Sequence, residues 1–257
     1  MLGAYKRWPM ADTPENEFLK TYDANAFPRP SVAVDVALVT IDDDRLQTLL
    51  IRRTEHPQRD SWSLPGGFVR LDESLDATAE RVLATKAGLT GVYLEQLYTF
   101  GEPARDPRTR VISVAYYALV PPEKLRRVAI GADQCLAAIR VPWAGETGGA
   151  VELLAPNERR LKVAFDHGEI VGMVVKRLRG KLAYAPVGYA LLPKRFTLLQ
   201  LQRVHEIING STVNKDSFRR RMLASGELEE TGAMQEGVGH RPASLYRVSA
   251  RKNVPHG

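Results

Sequence analysis

Apolar residues fall into short runs along this chain, and most of the runs end at a turn signal. Residues 31–41, SVAVDVALVTI, are β-branched and alanine-rich and predict a strand. Asp42, Asp43 and Asp44 form a polar break, and residues 46–53 predict a second strand, so the pair reads as a hairpin. Three adjacent carboxylates between strands read as a solvated turn rather than a metal loop. Residues 92–101 and 111–120 predict further strands, and residues 139–143 a short one. Residues 73–87 predict a helix stopped by Gly88, and residues 166–182 a helix with Ile170, Val174, Val175 and Leu178 on one face. Residues 145–155 read as a flexible connection. Residues 1–30 have few periodic apolar positions and read as an arm able to pack on a partner surface.

Beyond a linker or seam at 184–195 the periodicity changes. Thr197 is placed to cap a helix with Leu198, Leu201, Val204, Ile207 and Ile208 on one face, broken at Asn209-Gly210. Asn214 is placed to cap a second helix over 215–224, with Phe218 and Met222 inward and basic residues outward. Residues 228–231 and 244–248 predict two strands around a glycine-rich tip that holds His240 and Arg241. A helix, a short turn, a basic helix and a hairpin are the plan of a winged helix-turn-helix. The predicted organisation is therefore an arm at 1–30, an α/β domain at 31–183, a linker at 184–195 and a DNA-binding domain at 196–257.

Charge sharpens this division. Residues 194–257 carry 11 Lys and Arg against 6 Asp and Glu, a balance of +5, whereas residues 1–193 carry 25 against 24. A basic excess confined to the last quarter is the footprint of a nucleic-acid module beside a near-neutral domain. The single Cys135 excludes an intramolecular disulfide and fits a reducing compartment. No N-terminal run reads as a signal peptide, and the apolar stretch at 31–41 is short and carries Asp35, so a cytoplasmic protein with no membrane partner is expected.

The chemistry concentrates at 66–89, GGFVRLDESLDATAERVLATKAGL. Gly67, Glu73, Arg81, Gly88 and Leu89 have the spacing of a Nudix box, the strand-loop-helix that binds nucleoside diphosphates linked to another group. The resemblance stops inside the helix. Where the Nudix pattern reads Arg-Glu-apolar-x-Glu-Glu, this chain reads Arg81, Val82, Leu83, Ala84, Thr85, Lys86. Hydrolysis by that family needs a hard divalent cation held by several carboxylates. Lys86 repels such a cation, and Glu80 lies off the face at about 100° per residue. The expectation is a surviving pocket with no catalyst, no metal site and no cofactor. Candidate effector-binding residues are Gly66 and Gly67, whose backbone is expected to approach a ligand and adopt positive φ, together with Phe68, Glu73, Arg105 of the loop EPARDPRTR, and Arg52 or Arg53, which alternation places on opposite faces. Trp62 is assigned to core packing. Candidate DNA-binding residues are Asn214, Lys215, Ser217, Arg219, Arg220 and Arg221 on the basic helix, with His240 and Arg241 on the wing.

The two halves together resemble the Nudix-related transcriptional regulators of the NrtR family. The resemblance rests on LPGGF at 64–68, RDPR at 105–108, SVAYYALVP at 113–121 and AFDH at 164–167, and in the second half on FTLLQLQRVHE at 196–206, SFRRRM at 217–222 and RPASLYRV at 241–248. It implies a Nudix-like α/β/α sandwich with a mixed sheet, fused to a C-terminal winged helix-turn-helix. It also implies a homodimer that binds palindromic double-stranded operators, represses genes of NAD metabolism and responds to ADP-ribose or a related NAD metabolite. The alternative activity is a Nudix hydrolase acting on ADP-ribose-like nucleoside diphosphates. A module for RNA or nonspecific DNA is a third possibility, which a sequence-specific gel shift that survives competitor DNA would exclude.

Overall fold

A computed structural model describes residues 13–127, 131–182, 185–237, 239 and 242–249. Residues 1–30 and 31–257 are separate compact units. In the first, where no element was expected, α1 (Pro14–Thr21) is capped by the Thr13 hydroxyl and opened by a proline in its first turn.

The second unit opens with β1 (Ser31–Asp42) and β2 (Arg45–Arg52), joined at Asp43 and Asp44, which both adopt positive φ. Then come the short β3 (Trp62–Ser63) and β4 (Gly66–Phe68), α2 (Leu75–Ala87), β5 (Tyr93–Phe100), β6 (Val111–Leu119) and the single turn α3 (Pro122–Leu125). They are followed by β7 (Gln134–Arg140), β8 (Glu152–Leu154) and α4 (His167–Lys181). The sheet order is β5-β6-β1-β2-β7-β8, with β3 on β2 and β4 on β1. β1 runs parallel to β6 and antiparallel to β2 and β4, so the sheet is mixed as expected.

β1 is buried on both faces from Val34 to Thr40, which is why it reads as an unbroken apolar run. Val34, Val36 and Leu38 pack with Ala79, Val82 and Leu83 of α2. Ala37 and Val39 pack on the other face with Ile170, Val171 and Val174 of α4. Helices on both faces of one sheet make the α/β/α sandwich.

Four local expectations shift. The helix expected from residue 73 begins at Leu75, because Ser74 is its N-cap and Glu73 belongs to the loop. The short strand expected at 139–143 lies at Gln134–Arg140, where Cys135–Ala137 pair with Thr48–Leu50; five of its seven positions are only partly buried, so the apolar signal is diluted. The connection at 145–155 contains β8. The stretch at 186–193 forms a 3₁₀ turn (Pro186–Leu191) whose Val187 and Leu191 are buried.

The C-terminal half comprises α5 (Leu198–Asn209), α6 (Lys215–Ala224), β9 (Leu228–Met234) and β10 (Ser244–Val248). A reciprocal capping box between Thr197 and Gln200 starts α5. The backbone of Phe196 pairs with Tyr246 in both directions, at 3.0 and 2.8 Å, and ties α5 to the hairpin. Leu198, Leu201, Val204, Ile208, Phe218 and Tyr246 share one apolar cluster with α4, so the core runs without a break from the sheet into the winged helix. Among the described residues no helix is long and apolar enough to cross a membrane.

Candidate functional site

β4 inserts beside the first half of β1, and its register places Gly66 opposite Asp35. A Cβ on Gly66 would lie 2.2 Å from Asp35 Oδ1, so only glycine allows the two strands to meet around a buried carboxylate. Neither Gly66 nor Gly67 has positive φ; both are ordinary strand residues, and the expectation of a left-handed loop here is corrected. Their role is close approach.

Asp35 anchors a buried network. Ser113 of β6 donates to its Oδ2 at 2.5 Å. Arg105, with a side chain 4% exposed, stands 3.5 Å from the same carboxylate and forms a two-pronged pair with Asp166 at 2.9 and 2.6 Å. Burial alone would lower the Arg105 pKa, but its bonds to Asp166 and the nearby carboxylates outweigh that and raise it. His167 accepts the Leu64 backbone N–H on Nδ1 at 2.9 Å, which leaves its proton on Nε2, 3.6 Å from Asp35 Oδ2. Burial lowers the His167 pKa, against the pull of Asp35, so the ring is neutral.

Above this floor lies a cleft of about 300 Å³, lined by Gly66, Gly67, Phe68, Arg53, Arg108 and Phe165 among others. Arg108 is spent on Asp106, which it holds through Nε, Nη2 and the backbone N–H, lowering the Asp106 pKa. Arg53 differs. Its Nε donates to the Pro57 carbonyl at 3.0 Å and its guanidinium lies 4.9 Å from the Phe165 ring centre, yet among the described residues no carboxylate comes within ion-pairing distance. Burial, then the neighbouring Arg108, lower its pKa.

The structure therefore gathers five of the seven predicted effector residues: Arg53, Gly66, Gly67, Phe68 and Arg105. Arg52 lies outside the cleft, half exposed and paired with Asp60 at 2.9 Å, as strand alternation requires. Glu73 also lies outside: Arg81 grips both its oxygens at 2.7 and 2.8 Å, Thr78 donates at 3.1 Å, and Arg81 also bonds the Phe68 carbonyl. The box glutamate and arginine here staple the loop to α2, and the pair lowers the Glu73 pKa. Asp35, Ser113, Asp106, Phe165, Asp166 and His167 were not singled out as site residues. The signals available were a lone acid, Asp35, inside an otherwise apolar strand, and the segments SVAYYALVP, RDPR and AFDH, which hold the other five.

On the helix itself, Val82 is 1% exposed and packs in the core. The Thr85 hydroxyl is taken by the Arg81 carbonyl at 2.7 Å, and Lys86 faces solvent. Among the described residues no group of three His, Cys, Asp or Glu side chains is placed to hold a metal.

In the C-terminal half, Phe218 is the buried anchor of α6, meeting the His205 ring edge-on at 5.0 Å. Lys215, Ser217, Arg219, Arg220 and Arg221 are exposed. Asn214 is already used, accepting the Ser217 N–H at 2.9 Å as the N-cap, and Arg221 lies 5.5 Å from the Phe218 ring centre. Arg219 and Arg220 make no ion pair among the described residues. His240 and Arg241 of the wing lie outside the described residues.

Comparison with known proteins assigns these two halves. Residues 31–144 match the NUDIX domain, and residues 188–248 match the NrtR DNA-binding winged helix domain. A relative from Acinetobacter baylyi, the ADPR responsive transcriptional repressor NtrR, is 37% identical over 91% of this chain and 88% of its own length. The chain belongs to the NrtR family of Nudix-related transcriptional regulators. Shewanella oneidensis NrtR has the same fold, with a TM-score of 0.70 at 34% identity over 85% of this chain and 94% of that one. Its complex with a 27mer DNA gives a TM-score of 0.68 at 32% identity, over 85% of this chain and 93% of that one. A more limited likeness, 30% over 55% of this chain and 71% of the relative, is to an ADP-ribose pyrophosphatase of Methanocaldococcus jannaschii. α6, with its exposed basic residues, lies inside the segment that matches the winged helix domain, and most of the residues lining the cleft over Asp35 lie inside the segment that matches the NUDIX domain.

Proposed function

We propose that this chain is a homodimeric repressor that binds palindromic operators of NAD-metabolism genes through α6 and the wing, and that ADP-ribose or a related NAD metabolite, bound over Asp35, alters its hold on DNA. The observation that carries the ligand reading is Arg53, a cation aimed at the cleft with no carboxylate partner among the described residues. It offers its charge to a diphosphate, while the half-exposed Phe68 forms an apolar lip for a base. The repressor reading is supported by the Acinetobacter relative, and operator binding by the Shewanella complex with DNA.

The ligand is held rather than cleaved. A hydrolytic Nudix site needs carboxylate oxygens around a hard cation, and this helix supplies a buried valine, a hydroxyl already bonded to the backbone, and an ammonium. These donors do not fit a divalent cation, so no hydrolytic step is assigned. The likeness to a pyrophosphatase makes hydrolysis the reading to test against.

A response to effector requires that it bind the DNA-competent and DNA-incompetent dimers with different affinity. The test is a gel shift on the DNA upstream of the protein's own gene, with and without ADP-ribose, alongside incubation of the protein with ADP-ribose and Mg²⁺. A sequence-specific shift altered by intact ADP-ribose is expected. Turnover at ordinary enzyme rates, or no specific complex, would replace the proposal.

A further inference from the structure

We infer that α4 is the rod through which occupancy of the cleft reaches the DNA-reading half, with Arg179 as the positioning residue at its far end; this rests on the functional reading above. The helix touches both places. At its start, the N-cap Asp166 holds Arg105 and the first residue, His167, receives the Leu64 N–H, so the first turn is part of the floor of the cleft. Thirteen residues on, about 20 Å along the axis, Arg179 reaches into the winged helix. Its Nε donates to the Ile208 carbonyl at 2.8 Å, and its Nη1 to the carbonyls of Gly145 at 2.7 Å and Trp143 at 3.3 Å. Its guanidinium lies 4.8 Å from the Trp143 ring centre.

Ile208 is in the last turn of α5, where helix carbonyls lack intrahelical donors. Arg179 therefore satisfies an end of a DNA-domain helix from the sandwich side, with its charge at the negative pole of the helix. α5 in turn holds α6: His205 meets Phe218, and Glu206 accepts the Val213 N–H at 3.1 Å at the turn before α6.

The helix between these ends is built to move as one body. Ile170, Val171, Val174, Val175 and Leu178 have no exposed surface. A Cβ on Gly172 would stand 1.9 Å from the Gly149 carbonyl, so the helix rests directly on backbone. A ligand that shifts Arg105 or Asp166 shifts the start of α4, and a closely packed rod passes that displacement on to the Arg179 contact.

The test uses the full-length protein, its upstream DNA and ADP-ribose. Arg179→Lys keeps the charge but loses the multiple carbonyl contacts. We expect it to bind ADP-ribose, and DNA without ADP-ribose, within about threefold of wild type, while the effect of ADP-ribose on DNA affinity falls to less than about twofold. An unchanged effect would overturn the inference. Should Arg179→Lys melt well below wild type, the exchange measurement on Asp166→Asn alone decides.

A second readout needs no effector. Asp166→Asn should alter hydrogen exchange at the amides of 206–210, and should not do so once Arg179→Lys is present. Unchanged exchange there in Asp166→Asn would overturn the rod whatever the ligand is. Wild-type DNA binding that ignores ADP-ribose while the exchange coupling holds would instead overturn the identity of the effector.

Discussion

Arg53→Gln separates the ligand-binding charge of the cleft from its structural charge. Among the described residues Arg53 bonds only the Pro57 carbonyl and stacks, partly buried, on Phe165, so its loss costs the fold about 1–2 kcal/mol. A charge-assisted bond to a diphosphate contributes roughly 1.5–3 kcal/mol, so ADP-ribose affinity should fall about ten- to a hundredfold. Arg105→Gln is the contrast. It strips the buried Asp35 and Asp166 of their guanidinium, and breaking a buried pair in this way costs roughly 3–5 kcal/mol. At about 2–4 °C per kcal/mol, the melting temperature should fall by roughly 6–20 °C. Titration calorimetry with ADP-ribose and a thermal melt on the same samples measure both. Affinity of Arg53→Gln within twofold of wild type would refute the assignment. So would an Arg105→Gln protein that melts like wild type yet binds no ligand, because Arg105 would then be the ligand contact.

Arg220→Ala should weaken operator binding by about 1–3 kcal/mol if the side chain reads a base, or lower the salt slope by about one if it meets a phosphate; a gel shift at two salt concentrations distinguishes these, and no change removes the residue from the interface. Gly66→Ala should cost about 1–3 kcal/mol of stability in a melt, because its Cβ would overlap Asp35 and displace the Ser113 hydrogen bond. His205 has its pKa pushed down to about 4 by burial and by Arg221, so the unfolded chain binds a proton that the folded chain refuses. Stability contributed by the neutral ring should be complete above about pH 6.5 and decline by about 3 kcal/mol as the pH falls to about 4. A denaturant series across that range should show the slope, and His205→Gln should flatten it.

The chain's own order of residues determined most of the architecture. Strands buried on both faces, the glycine-stopped helix and the capping signals at Thr197 and Asn214 are local, and local rules read them. The missing helical carboxylates were equally plain, since a helix fixes which positions share a face. Tertiary structure decided which charges are available. Arg105 looked like the ligand contact because it sits in a basic loop, but Asp35 and Asp166, 70 positions before and 61 after it, consume its guanidinium. Alternation puts Arg52 and Arg53 on opposite faces, but only the packing of β4 on β1 and of the 105–108 loop decides which of those faces becomes the cleft. Glu73 keeps its spacing while Arg81 turns it into a staple. Spacing along a chain specifies where a side chain is attached; the partners that fold against it decide whether its charge is neutralised or left to meet a ligand.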